Sequence, residues 1–99
     1  MKYKSVYLPL ANRDIIRIDK ALSEYPEKAT RIFKEIEKKV TDLENMPYIW
    51  PVYQAKPDYR RMVLEDHLLF YKVDEDDHKI RIYRILYNRM DVSKHLNEK

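Results

Sequence analysis

Residues 66–91, DHLLFYKVDEDDHKIRIYRILYNRMD, gather most of the side chains in this chain that could act on a phosphodiester. Beyond the acidic residues 74–77, Lys79, Arg81, Tyr83, Tyr87 and Arg89 share one parity of an expected strand, and Ile80, Ile82, Arg84 and Leu86 share the other. On that alternation the cations have a side of their own. Tyrosines supply stacking planes and arginines supply forked donors, a combination suited to single-stranded RNA or to a phosphodiester in a shallow cleft. Arg81 and Arg84 are candidate phosphate-binding residues, with Arg60 or Arg61 from the start of an earlier strand. Neighbouring residues alternate, so only one of Arg60 and Arg61 can face the same side, and the sequence leaves open which. Ordinary packing is the competing account: Tyr83 and Tyr87 fill a sheet surface while the arginines pair with residues 74–77 or with helices.

In-line cleavage of RNA needs a base near the 2′-hydroxyl, a cation for the developing phosphorane charge and an acid for the leaving oxygen. Arg89 can supply the cation, and His95 or Tyr87 the proton, so these three are the candidate catalytic residues. Histidine exchanges protons near neutral pH. A tyrosine with its ordinary pKa near ~10 is a poor base unless neighbouring arginines lower it. Asp91, two residues beyond Arg89, either orients that arginine or caps the segment DVSKHL. His67, His78 and His95 have no zinc spacing, and the chain has neither cysteine nor glycine. Thiol nucleophiles, thiolate metal sites and Gly-rich phosphate loops are thereby excluded, and no metal or cofactor is expected.

These side chains must be positioned by one small domain, because 99 residues leave no room for a second. With 44% hydrophobic and 37% charged residues the chain can bury a core under a charged surface. Residues 79–99 hold six Lys/Arg against two acids, whereas residues 59–78 hold three against six, so the net charge of +3 is concentrated near the C-terminus. No run approaches a membrane span and the N-terminus lacks a secretory apolar stretch, which makes the cytoplasm the expected location and a membrane no partner. Residues 3–10 read as a first strand, in which Pro9 marks an edge or a strand end. Ile15, Ile18, Leu22 and Tyr25 form a helical stripe with Asn12 as N-cap, and Ala29, Ile32, Phe33, Ile36, Val40 and Leu43 form a second between residues 26 and 45. The short connection makes these an antiparallel helical hairpin. Residues 46–58, with three prolines, read as an extended connection anchored by Tyr48 and Trp50. Strands are expected at 59–65, 67–73 and 79–88, with Asp66 and Asp77 as candidates for left-handed turn positions. The sum is an α+β domain in which the hairpin packs on a four-stranded, mostly antiparallel sheet, the first strand pairing at its edge.

The chain resembles the RelE/ParE superfamily of bacterial type II toxin–antitoxin toxins. YLPLANRDI, a hairpin ending in LENMP, and YRRMVLEDHLLFYKVDEDDHKIRIYRILYNRMD carry the likeness in order and spacing over nearly the whole length. The resemblance implies a small toxin encoded with an antitoxin that is its partner. It also implies, in the ribonuclease branch, entry into the ribosome and cleavage of mRNA. There Arg89 matches the family's arginine at the end of the last strand. His95 lies near a C-terminal tyrosine of that branch, and Arg60 or Arg61 near its basic residue on the second strand. Ribosome-dependent mRNA cleavage is accordingly the expected activity. His67-Leu68 departs from the aromatic-arginine pair that opens the third strand in that branch, so one phosphate-binding cation is missing. An apolar residue at that place is similar to the ParE-like branch, which poisons DNA gyrase without catalytic residues. A chain that has lost toxicity and only binds an antitoxin is the third alternative.

Overall fold

In a computed structural model that describes residues 2–96, the chain runs β1 (Lys4–Tyr7), α1 (Pro9–Ala21), α2 (Pro26–Asn45), β2 (Arg60–Val63), β3 (His67–Asp74), β4 (Lys79–Tyr87) and α3 (Val92–Leu96). The order in the sheet is β1-β4-β3-β2. β1 lies parallel to β4, with Lys4 opposite Lys79 and Tyr7 opposite Ile82, and the β2-β3-β4 meander is antiparallel. The expected α+β class, helical hairpin and edge position of the first strand are all present.

Pro9 opens α1 as its first helical residue and does not close a strand. Its fixed φ and missing N–H suit that place. Leu8, not Asn12, is the N-cap, and it has no side-chain cap; Asn12 lies a turn into the helix and its backbone N–H donates to the Leu8 carbonyl at 3.0 Å. Tyr25 leaves the expected stripe because α1 ends at Ala21, and it stands exposed in the hairpin turn with its N–H bonded to the Leu22 carbonyl at 2.9 Å. The α2 stripe holds as expected, with Ile32, Ile36, Val40 and Leu43 buried. These residues meet Met62, Leu69, Tyr71, Ile80, Ile82 and Ile85 on one sheet face to form the main core. Burial of such side chains stabilises by roughly 1.5–3 kcal/mol each, so this interface dominates the fold.

The other sheet face carries a smaller core of Tyr59, Phe70, Leu86 and Leu96, with Tyr53, Tyr83 and Val92 against it. α3 therefore covers part of the surface that an alternating pattern leaves open. Asp91 Oδ1 accepts the Lys94 backbone N–H at 3.2 Å and so caps that helix. The 46–58 connection turns back on the outer strand. Val52 bridges Arg60 and the Arg61 N–H donates to the Pro51 carbonyl at 3.2 Å, which blunts the β2 edge. Trp50 packs on the main core, whereas Tyr48 is half exposed. At the β3–β4 turn the left-handed residue is His78, φ 56°, in place of Asp66 or Asp77; its ring stacks on Tyr3 at 3.8 Å, a contact neither aspartate could make.

Candidate functional site

β4 does not keep the alternation on which a single cationic row depends. Phe70 pairs with Arg84 while Tyr71 pairs with Ile82, so Tyr83 is an extra residue and the parity switches at this bulge. Before it, Ile80 and Ile82 face the helices; after it, Ile85 does, with Tyr87 on the same parity. Tyr83 and Leu86 face the opposite side. The expectation that Tyr83, Tyr87 and the cations share one surface is thus corrected by one inserted residue.

β1 ends opposite Ile82, so beyond that point the edge of β4 has no strand beside it. Asp14 on α1 fills this place. Its Oδ2 accepts the Ile85 backbone N–H at 2.8 Å and Arg84 Nε at 2.8 Å, and its Oδ1 accepts Arg84 Nη2 at 2.9 Å. Arg84 Nη1 donates to the His95 carbonyl at 2.6 Å. Arg84 and Asp14 are 2% and 1% exposed, so the guanidinium joins α1, β4 and α3 from inside the protein and does not present itself to a ligand. An arginine can be buried here because a bidentate carboxylate and a carbonyl satisfy its forked donors.

The open sheet face is built from tyrosines and cations. Tyr59 and Tyr83 stack at 4.7 Å, and Tyr53 meets Phe70 edge-on at 5.2 Å. Lys72 Nζ lies 4.5 Å and Lys56 Nζ 5.8 Å from the Tyr59 ring, and Arg61 lies 5.1 Å from the Tyr53 ring. Arg61 pairs with Phe70 across the strands and so occupies this face. Arg60 takes the other parity, where it donates to the Trp50 carbonyl at 2.7 Å and lies over Tyr48. Arg81 is opposite Lys72 but bonds Asp74 Oδ2 at 3.0 Å and Asp77 Oδ2 at 2.9 Å. The Asp77 amide and Arg81 hold the Asp74 carboxyl below its usual range. Burial first, then the Tyr59 hydroxyl, push the Tyr83 phenol up, away from the value a base needs. Leu68 pairs with Leu86 and packs against this face, where the ribonuclease-type pattern has its arginine.

On the helical side, a cleft of about 400 Å³ opens between the hairpin and the ends of β3 and β4. Ile18, Leu22, Ile32, Ile85 and Met90 line it, with Arg17, Lys28 and Asp66 as its charged members. His67, 7% exposed, meets Tyr87 edge-on at 5.8 Å. Burial lowers the His67 pKa, with the nearby Asp66 carboxylate acting against it. Arg89 stands exposed in the turn beyond β4. His95 is half-buried on α3, with its carbonyl taken by Arg84.

The sequence-derived residues therefore fall into separate places: Arg61 and Arg81 on the open face, Tyr87 at the cleft, Arg84 inside, Arg60 over Tyr48, Arg89 on a turn and His95 on α3. Sequence reasoning missed Asp14, Lys56, Lys72, Tyr53 and Tyr59. A lone aspartate on the apolar stripe of α1 was the available signal for the first; the others lie in the 46–59 connection or alternate with apolar residues on β3. Among the described residues no group of three or more His, Asp or Glu is arranged to hold a metal ion. None of the described helices is long and apolar enough to cross a membrane.

A family model described as the ParE toxin of the type II toxin–antitoxin system parDE matches residues 6–92. Among solved structures, the chain is similar to one from the toxin–antitoxin complex RelBE2 of Mycobacterium tuberculosis, with 17% identity, 89% of this chain and 100% of that chain covered, and a TM-score of 0.66. It is also similar to one from the chromosomal ParDE toxin–antitoxin system of P. aeruginosa, with 21% identity, 87% and 96% covered, and a TM-score of 0.71. At these identities the likeness establishes a shared fold. No curated protein matches the sequence.

Proposed function

This chain belongs to the ParE toxin family of type II toxin–antitoxin systems, and we propose that it acts by binding DNA gyrase, with no catalytic step of its own, and is held inactive by a cognate antitoxin. The observation that carries the reading is the dispersal of the groups that RNA cleavage needs. Arg84 is consumed by Asp14 and the His95 carbonyl. Arg81 is neutralised by two carboxylates. Tyr87 stands on the helical parity of the sheet with His67, whereas Tyr83 is on the opposite face with a raised pKa. Proton transfer requires acid, base and cation within reach of one phosphodiester, and here the β4 bulge sets Tyr83 and Tyr87 on opposite faces while Arg81 and Arg84 are already paired. Binding a protein target requires only a complementary surface.

The test is a supercoiling assay with purified gyrase, relaxed plasmid and ATP. Inhibition or accumulated cleaved DNA in the presence of the chain, relieved by its antitoxin, is the expected result. Unimpaired supercoiling at saturating protein would overturn the proposal.

One observation favours ribosome-dependent mRNA cleavage as a second reading: Lys56, Lys72 and Arg61 lie beside Tyr53 and Tyr59 on the open face, the pairing of cations and rings that single-stranded RNA uses. A reconstituted translation reaction with a defined mRNA, probed by primer extension, would then show cuts that vanish with Arg61→Ala or Lys72→Ala. A protein inert in both assays is an antitoxin-binding domain only.

A further inference from the structure

The open face of the sheet carries a band of positive charge that crosses all four strands and that the fold leaves in surplus. Lys79 and Arg81 alternate with Ile80 and Ile82, which face the helices, so both stand on the open side. Lys4 lies opposite Lys79 on the edge strand β1, and Lys72 lies opposite Arg81 on β3. Lys72 and Lys56 approach the Tyr59 ring at 4.5 and 5.8 Å, and Arg61 on β2 completes the band 5.1 Å from the Tyr53 ring. Arg81 is tied to Asp74 and Asp77, but among the described residues Lys4, Lys72, Lys79 and Arg61 join no ion pair. Counting Asp58, which shares a shallow groove with Lys72, the band holds six cations against three carboxylates. Tyr53 and Tyr83 are half-buried within it and keep part of each ring in solvent. The α3 helix ends beside Lys56, whose Nζ lies 3.4 Å from the Leu96 carbonyl, and so borders the band without closing it: Lys4 and Lys72 remain exposed.

We propose that this band holds a single strand of DNA, with phosphates on Lys4, Lys79, Lys72, Lys56 and Arg61 and a base against Tyr53 or Tyr83. The choice of DNA rests on the gyrase reading, which places the chain beside an enzyme whose substrate is DNA; the surface itself rests on the charge and the rings. Crossing four strands, the band is about 15 Å wide at the usual strand spacing, enough for several nucleotides. An acidic protein segment pairs with the lysines but leaves the rings without a stacking partner. A duplex presents its phosphates but keeps its bases stacked inside, out of reach of both tyrosines. A single strand offers backbone charge and ring faces together, and because every base has a π-face the grip is indifferent to sequence. The contact is non-catalytic: it adds a hold on opened DNA to the hold on the enzyme, so the inhibited complex dissociates more slowly.

The experiment follows the fluorescence anisotropy of a labelled oligothymidylate of about 16 nucleotides, the upper end of the site size of one such face, as the full-length chain is added at several salt concentrations. With five cations engaged, log Kd should rise with log salt at a slope of about 3.5, from about 0.7 per phosphate contact. Lys4→Glu and Lys72→Glu, at exposed positions on β1 and β3, should each weaken binding by at least about tenfold and lower the slope by about 0.7. Tyr53→Leu should weaken it by about tenfold with the slope unchanged, as loss of a stacking ring does. Lys34→Glu, the same charge change at an exposed position on α2, should alter neither. Circular dichroism verifies that each variant is folded. In the supercoiling assay Lys4→Glu and Lys72→Glu should raise the half-inhibiting concentration while Lys34→Glu does not. Oligothymidylate that fails to bind at low salt, or that a polyglutamate peptide displaces as readily as unlabelled oligothymidylate does, overturns the inference. Tighter binding of oligouridylate by tenfold or more assigns the band to RNA and overturns DNA as its occupant. Wild type that inhibits gyrase as strongly as Lys4→Glu and Lys72→Glu do overturns the DNA contact and leaves the gyrase reading standing, whereas wild type that binds the oligonucleotide and spares gyrase overturns that reading and the choice of DNA with it.

Discussion

Replacing Asp14 with alanine removes one carboxylate from three jobs at once: it leaves Arg84 without its counterion, the Ile85 N–H without an acceptor, and Arg17 without its helical neighbour. Arg17 is half exposed and passes to water at little cost. Arg84 is not, at 2% exposure, and an uncompensated buried charge costs about 3–5 kcal/mol. An unsatisfied buried N–H costs about 1–3 kcal/mol, partly overlapping with the first figure because relaxation or a water molecule can relieve both. We therefore expect Asp14→Ala to lose about 4 kcal/mol, a large part of the 5–15 kcal/mol typical of a domain. For this chain length that corresponds to a fall in Tm of roughly 15–30 °C. Urea unfolding followed by circular dichroism measures it, with Asp14→Leu, Arg84→Met and the double variant Asp14→Leu/Arg84→Met forming a cycle. Arg84→Met should be milder than Asp14→Ala, since Asp14 keeps Arg17 and the Ile85 N–H. The double variant should recover the part of the loss that comes from the unpaired charge, because apolar side chains replace a buried pair at small cost, while the Ile85 N–H stays without its acceptor. A loss below about 1 kcal/mol for Asp14→Ala, or a double variant as unstable as Asp14→Ala, would refute the account of Asp14 as the clip between α1 and β4.

Two further stability measurements follow from the same core. Burial holds the His67 pKa below its unfolded value near ~6.5, so the unfolded chain binds the proton more readily; this contribution is intact above about pH 6.5 and is lost as pH falls through the folded pKa. His67→Gln should flatten the fall in urea midpoint between about pH 7.5 and 5, and parallel curves for the two proteins would contradict that assignment. Tyr71 is fully buried, donates to the Pro47 carbonyl at 2.9 Å, and has its pKa pushed up by burial to about 12. Its folded pKa is the higher one, so its contribution is complete below about pH 10 and is lost as pH rises through the folded value. Tyr71→Phe should cost about 1 kcal/mol near neutrality and unfold less steeply than wild type above pH 10, as read by thermal unfolding across that range.

Much of the architecture was legible because its signals were redundant. The α2 stripe, the acidic β3–β4 turn and the alternating strands each agreed with their neighbours, and hydrophobic periodicity is strongest where an element buries one face for its whole length. The boundary at Pro9 was not, because proline ends a strand and opens a helix equally well; only the residues after it decide, and Ala11 and Asp14 already belong to the helical face. The left-handed residue is His78 because Tyr3, 75 residues away in the sequence, offers its ring a stacking partner, which no local turn rule contains.

The candidate site was far less legible, and the reason is one residue. Alternation along β4 predicts a cationic row only if every residue of the strand pairs, and Tyr83 does not. The bulge separates Tyr87 from Tyr83, turns Ile85 inward in place of Arg84, and lets the Arg84 side chain reach Asp14 across the edge that β1 leaves bare. Nothing in IRIYRILY marks that slip, since isoleucine, tyrosine and leucine suit both faces of a two-sided sheet. Asp14 was the residue that could have disclosed it. A carboxylate on the apolar stripe between Ala11 and Ile18 has to be satisfied from across the core, and a buried aspartate calls for an arginine. Of the arginines on β4, Arg84 alone sits amid an unbroken apolar run, and pairing those two outliers withdraws Arg84 from any phosphate site and breaks the row on the sequence alone.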